Sequence, residues 1–389
     1  METKILRLWD FVFEKLFNKE TNLIYDQRTA NTPDGNIVHL PTPEEIAAQA
    51  PNPCGWGSGM EDSMIHAGIM LDTVLNRYKA TGEKQMNEYA KALFEGIKLC
   101  AEISDRRGFL ARSVSPFDKK SYYINTSRDQ YTHVIYSLLK YRESELCSNT
   151  DSEWIKNTLT AFATRVFEDA TEQNGYQLMR ADGKSGLVCK MWKVLPHEAL
   201  RLPMFYLAAW VVSGDQKWLA CYRALRDQAI ERTLEKHTAA NQYILMQAQY
   251  SARLVYDYDP DPEYKQKLLK VLEFNAKNAA KFKADALPSF EAANALSTQW
   301  RNCVLKYEWG HVVTNGYDYP IPQEPQRHVC QPLREYGSAI TNQYLCPGFE
   351  INPEQIAALY DSISLIDPEN HATASPIHLL SGYWSLKVK

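Results

Sequence analysis

Apolar residues recur at three- and four-residue intervals along most of the chain, and the segments they define come in unequal pairs. Ile5, Leu6, Leu8, Trp9, Val12, Phe13, Leu16 and Phe17 lay out a first helix with a broad apolar face. Residues 26–55 then lose periodicity and collect prolines at 33, 41, 43, 51 and 53. Within them Thr42-Pro43-Glu44-Glu45 predicts a short helix, with threonine as cap and proline at the first position. From Trp56 to Tyr78 the chain reads WGSGMEDSMIHAGIMLDTVLNRY, a helix apolar on more than one side that opens on Glu61, Asp62 and His66. A helix buried all round has this pattern.

A two-helix unit follows from that stretch and repeats. In each unit an apolar helix is followed by a turn and an amphipathic partner. The turns fall at Thr81-Gly82-Glu83, near Asp151, at Ser213-Gly214-Asp215 and from Asp259 to Pro262. A weaker fifth unit starts at Thr341, with a helix over residues 355–366 and a closing helix over 377–386. Such units cannot bury their faces alone and must stack, and their long, irregular spacing excludes a tetratricopeptide array. Strand signals are few: GFLARSV (108–114) and GYQLMR (175–180) read as short rim strands that pair with each other.

The inner-helix openings TSRDQYTHVIYSLL and GSGMEDSMIHAGIML, set in this helical pattern, resemble the six-hairpin glycosidases, among them the unsaturated glucuronyl and rhamnogalacturonyl hydrolases. The resemblance implies an all-α (α/α)6 toroid spanning residues 1–389 as one domain, with catalysis in the loops of one rim. It also implies action on uronic-acid-containing oligosaccharides.

Composition narrows the field. A formal net charge of −4, with no basic run, argues against a nucleic-acid partner. No apolar run approaches the roughly 20 residues of a membrane span. Eight scattered cysteines without a CxxC predict free, buried thiols and a reducing compartment. The amphipathic start of the chain predicts a cytoplasmic protein, or a periplasmic one if a leader has been removed. No P-loop, GxSxG, HExxH or dinucleotide fingerprint occurs, so no cofactor and no metal are expected. The expected partner is an oligosaccharide.

If the inner helices open on one rim, their first turns converge. Trp56, Glu61, Asp62 and His66 come from the first, and Tyr122, Tyr123, Arg128, Asp129 and His133 from the second. The third brings Lys190, Trp192, His197, Glu198 and Arg201, and a late loop brings Glu308, Trp309, His311, Arg327 and His328. Glycoside hydrolysis needs two carboxylic groups, and Asp62 and Asp129 are the first choices. Either would otherwise serve as a helix N-cap. Asp129 and His133, four residues apart, share a helical face and are placed to pair. His197 is a further acid–base candidate, and Glu350 reads as a helix-start residue. Trp56, Glu61, Tyr122, Tyr123, Arg128, Trp192, Arg201, Trp309 and His311 are expected to line the substrate site.

Three other readings use the same residues. A polysaccharide lyase would take its proton with Tyr122, Tyr123, His133 or His197 while Arg128 neutralises the uronate. A sugar epimerase would exchange protons between two histidines. A non-catalytic helical scaffold would leave the array open, so ring closure separates it from the enzymes.

Overall fold

A computed structural model describes residues 1–25, 40–50, 52–56, 58–235, 241–282, 334–366 and 374–389, with the backbone of Leu333 and of short strands at 28–30, 37–38, 308–314 and 317–323. Six inner helices carry the fold: α3 (Ser63–Thr81), α5 (Arg128–Glu143), α7 (Arg201–Ser213), α9 (Gln242–Tyr258), α11 (Leu333–Tyr344) and α13 (Pro376–Lys387). The outer layer is α1 (Glu2–Phe11, continued by a π turn over Val12–Leu16), α4 (Met86–Glu102), α6 (Asn149–Asp169), α8 (Gln216–Thr233), α10 (Pro262–Ala280) and α12 (Pro353–Leu365). The short helix α2 (Pro43–Ala47) starts on a capping box in which Thr42 and Glu45 each hold the other's backbone N–H, as its sequence predicts.

Each inner helix packs on the next, and α13 packs back on α3, so the ring closes into an (α/α)6 toroid. Closure removes the open scaffold from consideration. It depends on small residues where helices meet. A Cβ on Gly337 of α11 would lie 1.8 Å from the His378 carbonyl oxygen of α13, and one on Gly382 would lie 2.9 Å from the Gly337 Cα. The two backbones are in contact there, and a side chain at either position has no room.

Helix boundaries follow local chemistry. Gly82 (φ +68°) and Gly214 (φ +72°) end α3 and α7 in the left-handed conformation and return their N–H groups to Tyr78 and Trp210. Asp215 caps α8. The turn expected near Asp151 comes earlier: α5 ends at Glu143, Ser148 caps α6, and Asp151 sits in the first turn of α6.

Strands among the described residues occur as four two-stranded antiparallel pairs, the first two being Phe17–Asn18 (β1) with Leu23–Ile24 (β2) and Arg28–Ala30 (β3) with Ile37–Val38 (β4). The expected pairing of GFLARSV with GYQLMR is not made. Residues 108–114 form no strand, and Gln177–Met179 (β5) pairs instead with Ser185–Lys190 (β6). The reason lies in Arg112 and Leu110, whose backbone groups bond to Met64, Tyr131 and Thr126 of the toroid, leaving none for a ladder. The hairpin of Glu308–Thr314 (β7) and Tyr317–Gln323 (β8) carries Trp309 and His311, whose side chains lie outside the described residues, as do Arg327 and His328. No helix among the described residues is long and apolar enough to cross a membrane.

Candidate active site at the N-terminal mouth

The first turns of the inner helices meet at one mouth of the ring. Asp62 stands at the N-cap position of α3, yet its side chain makes no capping bond. Its Oδ1 accepts instead from Arg112 Nη2 and Gln130 Nε2, both at 2.8 Å. Arg112 is itself buried and donates through Nε to the Glu61 carbonyl at 2.7 Å. Asp129, in the first turn of α5, accepts from Arg201 Nη1 of α7, and the second Arg201 nitrogen donates to Gln247 of α9. Side-chain exposure is 24% for Asp62 and 26% for Asp129, against 5% and 2% for their arginines. The carboxylates therefore face the open mouth while the cations stand behind them.

Burial alone would raise the Asp129 carboxyl, but Arg201, then Arg128 and Arg112, more than offset it and hold it below the usual carboxylate range. Asp62 and Asp129 act electrostatically on two common neighbours, Arg112 and Tyr243 of α9, which sets both at one site. Tyr243 lies under the Arg334 guanidinium, 3.5 Å from the ring centroid. Its phenol is pushed up by burial; Arg334 works against the rise, while Asp129 and Asp62 add to it. Glu335 accepts from the backbone N–H groups of Gln242 and Tyr243, so a carboxylate of α11 caps the start of α9.

One turn deeper lie His66 on α3 and His133 on α5, with His378 of α13 in electrostatic contact with both. All three are buried. Burial lowers His133 to about 3 and His378 well below its ordinary value, so both rings are neutral near pH 7. Among the described residues neither nitrogen of His133 has a hydrogen-bond partner, so the pair with Asp129 that the spacing allows is not made. The His133 ring stands edge-on to Tyr250 instead, at 5.2 Å. His378 Nδ1 is 2.9 Å from Ser338 Oγ.

The remaining sequence candidates scatter. Arg128 is tied to Glu198 and donates through Nη1 to the Lys190 carbonyl at 3.0 Å, fastening β6 to the ring. His197 lies in a 3₁₀ turn with Nε2 3.8 Å from Glu198 Oε1. Tyr123 is buried; its hydroxyl donates to the Ala50 carbonyl at 2.6 Å and its ring fills the space beside Gly55, where a Cβ would come within 2.5 Å. Tyr122 packs on Phe109. Trp56 is half-buried and held by its backbone to Asn52, and Glu61 is buried. Trp192 lines a separate outer groove of about 480 Å³ beside α8. Glu350 is exposed, and Asn352, two residues on, caps α12. The structure thus gathers Asp62, Asp129, Arg201 and His133 and leaves Tyr123 and Trp192 facing elsewhere.

Residues that the repeat pattern did not single out complete the mouth: Arg112, Gln130, Tyr243, Gln247, Arg334, Glu335 and His378. Of these, Gln130 and Gln247 had a signal, since each is a polar residue on an otherwise apolar inner face. Among the described residues no group of three or more His, Cys, Asp or Glu side chains is arranged to hold a metal.

No protein-family model and no curated protein matches the chain. Solved structures do. The chain is similar to a glycoside hydrolase family 76 mannosidase from Bacteroides thetaiotaomicron VPI-5482, at 10% identity, 99% coverage of this chain, 97% of that one and a TM-score of 0.52. It is similar to the same degree to a sugar epimerase from a ruminal bacterium, at 11% identity, 99% and 98% coverage and a TM-score of 0.52. These likenesses carry the fold, over essentially the whole length of each chain.

Proposed function

We propose that the protein is a carbohydrate-active enzyme, a glycoside hydrolase acting on uronic-acid-containing oligosaccharides at the N-terminal mouth. One observation carries this reading: two carboxylates from successive inner helices, neither used as a helix cap, face one opening with a buried arginine behind each. That is the pair of groups that glycosidic hydrolysis requires. Asp129, held ionised, is the base toward water, and Asp62 delivers the proton to the leaving oxygen. Arg112, Arg128 and Arg201 are committed to Asp62, Glu198 and Asp129. Arg334, set flat on Tyr243 and ion-paired to its neighbour Glu335, is the guanidinium assigned to the substrate's uronate. The mannosidase and the sugar epimerase that share the fold are consistent with a sugar substrate.

The buried histidines support a second reading, proton transfer on a free sugar, because His133 presents two unpartnered ring nitrogens within the ring. The two readings part in one experiment. The protein is incubated in D₂O with a panel of saturated and unsaturated uronic-acid oligosaccharides and with free hexoses. Absorbance near 235 nm, released reducing ends and deuterium at the carbon next to the carbonyl are followed together. New reducing ends, with absorbance steady or falling, support hydrolysis. Rising absorbance means elimination. Deuterium in a recovered sugar, without bond cleavage, moves the chemistry to the histidines and refutes the hydrolase.

A further inference from the structure

A cavity lies at the other end of the ring. It has a volume of about 630 Å³ and is walled by the last turns of α3, α5, α9 and α11. Small-molecule sites fall in the range of about 300–1,000 Å³. Nothing in the chemistry of the N-terminal mouth uses it.

Two of its three cations are engaged. Lys140 donates to Asp72, which is fully buried beneath it, and to Asn76 Oδ1 at 3.3 Å. Arg253 donates through Nε to both carboxyl oxygens of Asp257, at 2.8 and 2.9 Å, and through Nη1 to the Leu345 carbonyl at 3.0 Å. Lys79, Glu143 and Glu145 stand on the rim, where Glu143 accepts from Tyr258. Carboxylates outnumber cations by one, so an anion entering this space would gain no advantage.

Its hydrogen bonding, in contrast, is incomplete. Asn76 is 2% exposed, lines the cavity, and its Nδ2 has no partner among the described residues. A buried amide donor without a partner is unfavourable, so a ligand oxygen or a water belongs there. Glu143 and Glu145 offer acceptors on the same rim. Two flat faces complete the walls: Tyr136, stacked on Tyr250 at 4.3 Å, and Tyr344. A free donor, carboxylate acceptors and aromatic planes, with no excess of positive charge, match one ligand chemistry, an uncharged molecule with many hydroxyls and a C–H face.

We infer that the C-terminal mouth is a second binding site, for a neutral mono- or disaccharide, separate from the site at the N-terminal mouth. The sugar's C–H face lies on Tyr344 and Tyr136, an oxygen accepts from Asn76 Nδ2, and its hydroxyls donate to Glu143 and Glu145.

Isothermal titration of the full-length protein with cellobiose, mannobiose, xylobiose and lactose tests this, using wild type, Asn76→Leu, Tyr344→Ala and Asp129→Asn. At least one disaccharide is expected to bind with a dissociation constant on the order of 1 mM. That affinity is unchanged in Asp129→Asn and falls by about tenfold or more in the other two. If Tyr344→Ala fails to fold by circular dichroism, Asn76→Leu decides, because it is nearly isosteric and removes only the amide. The inference is overturned if no disaccharide binds, if binding survives in Asn76→Leu, or if it disappears in Asp129→Asn. The readout is binding, and Asp129→Asn marks the opposite mouth, so failure here is distinguishable from failure of the hydrolase reading.

Discussion

Replacing Asp129 by asparagine separates the chemical role of that carboxylate from its part in holding the mouth together. Arg201 behind it is almost wholly buried and also donates to Gln247. Two opposite charges about 4 Å apart attract by about 4 kcal/mol at an effective dielectric constant of about 20. Asp129 is 26% exposed, so water screens part of this, and asparagine keeps a neutral oxygen for Arg201 to reach. The expected loss of stability is therefore about 1–2 kcal/mol, too small to unfold the protein and measurable by urea denaturation. Removing a base that acts in the transition state lowers the rate by about 10²–10⁴. Turnover of the uronic-acid oligosaccharide that the wild type cleaves should fall by that factor, with KM little changed. The stability loss has its own pH signature. The folded carboxyl lies below its ordinary 3.8, so its contribution is fully present above that value and is lost as pH falls through the folded pKa. The difference between wild type and variant should hold constant from neutral pH to about pH 5 and shrink below about pH 4. A folded variant that keeps its turnover within about tenfold would sink the role assigned to Asp129.

Three further outcomes follow from the packing. Asp259 is buried and accepts from Arg226 Nη1 at 3.1 Å and from Tyr222, and Arg226 keeps Asp261 as a second partner at 2.5 Å, so Asp259→Ala removes one of two carboxylates and the acceptor of a buried hydroxyl and should cost about 1–3 kcal/mol by chemical denaturation; a loss under about 0.5 kcal/mol contradicts the pairing. Gly337→Ala places a methyl 1.8 Å from the His378 carbonyl, and the separation of α11 from α13 that it forces should exceed the usual overpacking cost of about 1–3 kcal/mol and lower soluble yield. Burial pushes the Cys54 and Cys189 thiols up to about 12, so iodoacetamide at pH 8 should leave both unmodified in the folded protein and label them once it is denatured, as peptide mass spectrometry would show.

The inner helices were legible because burial on every side puts apolar residues on every face: α7 is nearly continuous, and α3, α5 and α9 keep the signature around the polar residues Asp72, Gln130 and Gln247. Turn chemistry placed Gly82, Gly214, Asp215 and the Thr42 capping box for the same local reason. The fifth hairpin was fainter. α11 runs LREYGSAITNQY, and its glycine and small polar residues are there because its backbone touches that of α13, a tertiary fact without helical periodicity. Asp62 and Asp129 were singled out from their position at helix starts. What the sequence could not supply was which arginine stands behind each: Arg112 is 50 residues from Asp62 and Arg201 is 72 from Asp129. Tyr123 was drawn into the site by its neighbours in sequence, while its hydroxyl had a nearer acceptor at Ala50.

The difference between the two mouths follows from the common direction of the six inner helices. Each helix carries about half a positive charge at its N-terminus and half a negative charge at its C-terminus, and a closed ring points all the like ends the same way. Asp62, Asp129, Glu198 and Glu335 stand where the positive ends meet, each beside an arginine. Lys79, Lys140 and Arg253 stand where the negative ends meet, with Glu143, Glu145 and Asp257 among them. A carboxylate at a positive end or a cation at a negative end is worth about 0.3–1 kcal/mol. At the N-terminal mouth the helix ends and the buried arginines offset the charge of the aspartates, which on the proposed reading admits an anionic substrate. At the opposite mouth Lys140 and Arg253 are already paired with Asp72 and Asp257, so an anion finds neither of them free. An uncharged sugar suits the second, and a uronate held by Arg334 suits the first.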